Sequence, residues 1–128
     1  MDFMTAVKKV LQENYLNFEG RARRSEFWWF QLFVIVGYIV VGVLFGVLGA
    51  VLGDTGATIG SLLYAVFGLG VLLPALAVSV RRLHDIDKSG WWLLIDLVPL
   101  VGPILLIVWF CSAGTAGQNK FGSDPVGA

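Results

Sequence analysis

His84 and Asp85 stand side by side, and His84 is the only histidine in the chain. Adjacent His and Asp side chains can serve a metal or an acid–base site, but such a site draws further nitrogen or sulfur ligands from elsewhere in the fold. Asp87 and Asp96 are the acidic groups at hand to complete a shell, and carboxylates with one imidazole make a poor one. The expectation is instead a charged connection in which Asp85 and Asp87 neutralise Arg81, Arg82 or Lys88 and fix its shape. A His–Asp contact there would move the imidazole titration toward neutral pH. No catalytic, metal-ligating or cofactor-binding residue is assigned.

Arginines carry the second signal. Arg21, Arg23 and Arg24 precede one apolar run, and Arg81 and Arg82 follow another. The plain reading is that they set topology and hold anionic lipid headgroups. The sharper one has them converge as an anionic-ligand site, with Glu26 and Asp85 orienting the guanidinium groups. Glu26, His84, Asp85, Asp87 and Asp96 are the candidate polar network around them. Asp96 lies inside an apolar run, where an ionisable group is costly and often functional. It is only about 7–8 Å along a helix axis from Trp91, so a headgroup-level position with a salt bridge is expected, and a proton or substrate role is the alternative.

Across the whole chain, 128 residues with 57% hydrophobic and 14% charged side chains fall far from the roughly 25% charge of soluble domains. Lipid in place of a folded interior resolves the excess. The single cysteine, Cys111, excludes an internal disulfide. Zero net charge, with the basic groups abutting apolar runs, argues against nucleic acid. Phosphate loops, dinucleotide fingerprints, nucleophile elbows and zinc motifs are missing from the sequence. Residues 1–26 are charged throughout and have no signal-peptide core, so the apolar segments are expected in the mature protein.

Residues 1–18 read as an amphipathic helix, with Phe3, Met4, Val7, Val10, Leu11, Tyr15 and Phe18 on one arc. It would lie in the headgroup plane or cap the bundle. Gly20 is expected to end it, and Ser25 to N-cap the next helix. Segments 27–53 and 57–80 are membrane spans joined by a tight turn at Asp54-Thr55-Gly56, with Gly42/Gly46, Gly49/Gly53, Gly56/Gly60 and Gly68/Gly70 available for close packing. Pro74 is expected to kink the second. The third run, 91–111, holds Pro99-Leu100-Val101-Gly102-Pro103. A kinked single crossing is expected, and two half-helices that return by the same face are the alternative. Residues 112–128 read as a solvent-exposed polar tail with little regular structure. Lys and Arg counts place the N-terminus and the Arg81–Lys88 loop in the cytoplasm.

Three motifs add a resemblance. Phe18-x-Gly20-Arg21-x-x-Arg24-x-Glu26-Phe27-Trp28, Arg81-Arg82-Leu83-His84-Asp85 with Ser89-Gly90-Trp91-Trp92, and Gly114-x-x-Gly117-x-Asn119-x-Phe121-Gly122-x-Asp124-Pro125 resemble the opening, central and tail motifs of the domain of unknown function 805 family. Pro99 and Gly102 are similar to its third hydrophobic segment. The resemblance spans Phe18 to Pro125 and implies an integral protein of the bacterial inner membrane. It implies no activity, but it does suggest a specific role for the tail.

The sequence thus predicts an all-α membrane protein over residues 1–128: an N-terminal amphipathic helix and a compact bundle of three hydrophobic segments, the third kinked or broken at Pro99–Pro103. The leading functional expectation is a non-enzymatic module that binds anionic lipid, a membrane protein partner or a second copy through an arginine-rich cytoplasmic face. The alternatives are a transporter or channel component using Asp96 and the Pro99–Pro103 break, and an enzyme using His84 and Asp85.

Overall fold

The computed structural model of the chain describes residues 1–125; the last three residues of the expected tail, 126–128, lie outside the described residues. The described residues are helical, with one isolated β-bridge and no named strand. Helix α1 (Phe3–Lys8) continues as a π-helical turn over Lys9–Glu13. The Asp2 carboxylate caps it by accepting from Thr5 N at 2.8 Å, and hydrogen bonding from the Thr5 side chain, with that of its backbone N–H, holds the carboxyl below its ordinary value. Asn14 closes the other end, donating from Nδ2 to the Lys9 carbonyl at 3.0 Å. The helix is therefore shorter than residues 1–18, and Gly20 does not end it. Ala6 and Val10 are buried, whereas Met4 of the expected apolar arc is exposed.

Two long helices follow: α2 (Arg24–Leu52) and α3 (Asp54–Asp85). Ser25 falls inside the first turn of α2 rather than capping it. The connection between them is shorter than expected, because Gly53 alone makes the turn at φ +62° and Asp54, Thr55 and Gly56 already belong to α3. At 29 and 32 residues each is longer than the ~20 needed to cross ~30 Å of hydrocarbon. Helix α3 also continues through Arg81–Asp85, a stretch expected to be a loop. Pro74 sits within it without ending it.

The chain forms two compact units, Gln31–Leu73 and Met1–Phe30 with the described part of Pro74–Ala128. In the first, α2 and α3 pack through aromatic rings and glycines. Phe67 stands edge-on to Tyr38 at 5.0 Å, Tyr38 lies 5.3 Å from Tyr64, and Phe33 lies 6.4 Å from Phe67. The Phe67 ring occupies the space a side chain at Gly37 would need, and a Cβ at Gly60 would lie 2.8 Å from the Phe45 Cα. A Cβ at Gly42 or Gly46 would meet nothing within 4 Å. The close packing expected of that pair is not used among the described residues. Outward residues such as Val66, Leu69 and Val51 are 68%, 69% and 73% exposed, an arrangement that water would penalise and lipid would not.

In the second unit the third apolar run is broken rather than kinked. A 3-10 segment (Gly90–Leu97) is capped by Ser89, and helix α4 (Val101–Cys111) follows. Pro99 explains the break. A residue before proline is driven to extended backbone, and Val98 adopts φ −84°, ψ 112°. Leu100 then takes φ +68°, ψ −55°, a γ-turn closed by Val101 N donating to the Pro99 carbonyl at 2.8 Å, and this strained conformation costs a side-chain-bearing residue about 1–3 kcal/mol. Pro103 lies in the first turn of α4, where a missing N–H removes no helical bond. The two legs fold back on each other: the Trp92 and Trp109 rings meet edge-on at 5.6 Å, and the Lys88 ammonium sits 4.6 Å above Trp109. Gly102 is fixed in kind, because any side chain there would overlap the Ile95 carbonyl. With 11 residues, α4 extends about 16 Å, roughly half the hydrocarbon thickness.

Packing of the first unit yields a contrast between two glycines. Gly60→Ala should destabilise the helix pair by about 1–3 kcal/mol, whereas Gly42→Ala, with open space around it, should leave stability within error. Unfolding of the two variants in mixed micelles by denaturing detergent checks the difference.

Candidate functional site

The end of α3 is where the charged residues collect. Gly20 at φ +88° turns the chain so that Ala22 N donates to the Arg81 carbonyl at 3.0 Å, laying residues 20–23 along the last turns of α3. Arg21 then enters the interior, where its Nε donates to Asp85 Oδ1 at 2.9 Å. Arg82, one turn before Asp85 on the same helix, donates from Nη1 to Asp85 Oδ2 at 2.8 Å. One carboxylate thus holds two guanidinium groups. Arg81 points away from it, as the step of about 100° between helical neighbours requires, and its Nη1 meets Glu26 Oε2 at 2.5 Å. Lys9 approaches the other Glu26 oxygen at 3.3 Å. Arg21, Glu26, Arg81, Arg82 and Asp85 are all buried.

Four cationic groups face two carboxylates in this cluster, and backbone carbonyls take up remaining donors of Arg21 and Arg82, whereas Arg81 Nε and Nη2 are buried without a hydrogen-bond partner. Arg21 donates to Gly117 O at 2.6 Å, Thr115 O at 2.5 Å, Gly122 O at 3.3 Å and Asp85 O at 3.4 Å. Arg82 donates to Phe110 O at 3.2 Å and to Ser112 O. Arg24, exposed at the rim, reaches Cys111 O at 3.2 Å. Most of these acceptors belong to the segment after α4. The described part of the tail, 112–125, is therefore a strap tied to the arginines, even though it contains almost no regular structure.

Each named residue of the tail motif up to Asp124 has a physical task. Gly114 lies against the Asp85 carboxylate so closely that a Cβ would overlap it, and Thr115 N donates to the Asp85 carbonyl at 2.7 Å. Asn119 uses both ends of its amide, donating from Nδ2 to His84 O at 2.9 Å and accepting from Phe121 N at 2.8 Å. Phe121 stacks flat on the His84 ring with centroids 3.9 Å apart. Asp124 accepts from Gly117 N at 3.1 Å. Gly117 and Gly122 take positive φ values, with Gly122 bridged to Asn119 by two backbone bonds.

Of the residues singled out from sequence, Arg21, Glu26, Arg81, Arg82, His84 and Asp85 come together. Arg23 is half-buried and Arg24 exposed at the edge. Asp87 is exposed in the turn after α3 at φ +62°, and among the described residues it makes no ion pair. Asp96 stands apart. It is exposed and lines an open groove of about 350 Å³ with Ser79, Leu76, Leu93, Pro103 and Leu106. His84 and Asp85 do not bond to each other: His84 Nδ1 lies 2.8 Å from the Gly20 carbonyl, which requires the proton on Nδ1, and both Asp85 oxygens are held by arginines. Among the described residues no group of three or more metal-ligating side chains occurs. Sequence reasoning missed Lys9, Gly114, Asn119, Phe121 and Asp124; only the tail motif pointed at the last four.

Two spanning-length helices, a folded-back apolar hairpin and an ion cluster closed by a strap define a small helical membrane protein. The chain belongs to the family described as protein of unknown function (DUF805), whose model matches residues 15–123. It is similar to the inner membrane protein YhaH of Escherichia coli (strain K12), 47% identical over 117 residues that cover 91% of this chain and 93% of the relative. It is also similar to the inner membrane protein YhaI of the same organism, 43% identical over 113 residues covering 88% and 89%. The uncharacterized protein YiiR, also from that organism, is 30% identical, covering 90% of each chain. No solved structure matches. The matched span contains all three motifs of the cluster up to Gly122, and residence in the bacterial inner membrane follows from the family and the apolar helices together.

Removing one member of the cluster leaves buried charge behind. Asp85→Asn should cost about 3–5 kcal/mol, read as a lower unfolding midpoint in detergent. Phe121→Ala removes the ring stacked on His84 and should leave α2, α3 and the Arg21–Thr115 contact intact but loosen the distal turn of the strap, so that limited proteolysis cuts within 119–125 while the helical core survives.

Proposed function

We propose that the protein is a non-enzymatic, multi-pass module of the inner membrane that binds anionic lipid or a membrane partner at its charged end, with that end in the cytoplasm. The observation that carries this reading is the engagement of Arg21, Arg82, His84 and Asp85 with one another and with backbone carbonyls, and of Arg81 with Glu26 through Nη1 alone, its Nε and Nη2 being buried without a hydrogen-bond partner. Side chains committed in this way build a rigid surface and are not available for turnover. The cations left at the surface are Lys8, Arg24 and Lys120, with Arg23 half-buried, and these would meet phosphate headgroups or an acidic partner. The hairpin form of the third run supports placing the strap on the same side as the N-terminus, since Cys111 and Ser112 end beside Arg24 and Arg82.

The transport alternative draws less support. It needs Asp96 within an enclosed path, and Asp96 instead borders an open, mainly apolar groove.

Two measurements test the proposal. A cysteine at Ser123, with Cys111 replaced, should resist an impermeant thiol reagent in intact cells and react in inverted vesicles; the opposite pattern overturns the topology. The double substitution Arg23→Gln/Arg24→Gln should weaken retention of anionic lipid in native mass spectrometry by about 2 kcal/mol, at about 1 kcal/mol per basic residue near the surface. Unchanged retention removes lipid as the ligand of that face.

A further inference from the structure

Asp96 takes no part in the cluster at the end of α3 and lies instead in a groove lined almost entirely by apolar side chains. The groove it lines is bounded by α3 at Leu76 and Ser79 and by α4 at Pro103, Leu106 and Phe110. Ser79 is the groove's only other polar side chain, and its hydroxyl donates back to the Ala75 carbonyl at 2.7 Å. Among the described residues no ion pair or hydrogen bond reaches the Asp96 carboxylate. Its neighbours Leu94, Leu97 and Leu100 are 57%, 79% and 78% exposed, so they face acyl chains. Along a 3-10 segment rising ~2.0 Å per residue, Asp96 lies about 12 Å from Gly90. An unpaired carboxylate among leucines at such a depth is costly, and intramembrane acids are ordinarily paired.

We propose that this groove is the docking site for a membrane-spanning helix of another protein, one that carries a lysine or arginine at the depth of Asp96. Charge complementarity selects the occupant. The cation neutralises Asp96, and its apolar flanks cover Leu76, Leu93 and Leu106. A second copy of this chain does not fit, because the apolar runs 27–53, 57–80 and 91–111 contain no Lys or Arg, so two copies would oppose carboxylate to carboxylate. Nothing in this assignment depends on ligand binding at the charged end.

The test uses the full chain in phosphatidylcholine nanodiscs with synthetic leucine–alanine spanning helices bearing a central Lys, Gln or Leu. Association is read by energy transfer between a donor at the protein's C-terminus and an acceptor on the peptide. The Lys helix should associate about tenfold more tightly than the Leu helix. Asp96→Asn should abolish that preference and Asp96→Glu should retain it, with all variants unfolding at the same midpoint. Equal association of the three helices, a Lys preference that survives Asp96→Asn, or no association at all overturns the proposal. Two further outcomes also overturn it. One is loss of the Lys preference when phosphatidylethanolamine is added, which assigns the groove to a lipid ammonium. The other is energy transfer between copies of the chain that Asp96→Asn removes, which assigns it to self-association.

Discussion

Asp85 is the point on which the described fold turns. It is buried between Arg21 and Arg82, and its own carbonyl and carboxylate support Thr115 and press against Gly114. A buried ion pair gains little over apolar packing, but an unpaired buried charge is strongly destabilising. The chain therefore cannot keep α3 while releasing the segment around Arg21 or the strap around Thr115, because each release strands a charge. Residues 64 and 94 positions apart in sequence become obligatory neighbours. Arg21 is the physical link between them, touching the α3 carboxylate and three carbonyls of the strap with a single rigid fork.

The same requirement dictates the course of the third apolar run. Arg82 needs acceptors beyond Asp85, and it finds them in the carbonyls of Phe110 and Ser112, the unsatisfied end of α4. A run that crossed the bilayer in full would carry those carbonyls to the opposite surface and leave Arg82 short of partners. The backbone turn at Val98–Leu100 is what returns them, so the γ-turn strain at Leu100 is offset by charge-assisted bonds formed at the far end of the helix.

Much of this is legible in the sequence, though unevenly. Hydropathy locates the apolar runs because apolar surface of that length has one comfortable solvent. It locates their ends poorly. Nothing between Val80 and Asp85 breaks a helix, so α3 simply continues past the apolar boundary until Asp87 takes a left-handed turn. Gly20 carries a true signal of positive φ, but it serves a loop that pairs with α3 and not the end of α1, since Asn14 has already closed that helix. The strap is the hardest part to see. Glycine, serine and alanine announce conformational freedom, and the groups that order the segment are its main-chain carbonyls, which composition does not display. Pairing is equally hidden: sequence proximity puts Asp85 beside Arg82, but Glu26 as the partner of Arg81 depends on the register between α2 and α3.

An ion cluster is an unusual way to close a protein with so much apolar surface, and the membrane supplies the reason. Between two greasy helices in lipid, apolar contact offers little net drive, because the acyl chains solvate leucine as well as a neighbouring leucine does. What distinguishes one arrangement from another is close packing and polar contacts that lipid cannot imitate. The interhelical glycine contacts at Gly37 and Gly60 are the first kind, and the arginines at the end of α3 are the second. A carboxylate that binds two guanidiniums, with carbonyls supplying the remaining acceptors, is satisfied in one geometry and heavily penalised in others. Specificity of fold here comes from polar chemistry at the end of α3, while the lipid-facing residues determine only that the chain resides in a bilayer.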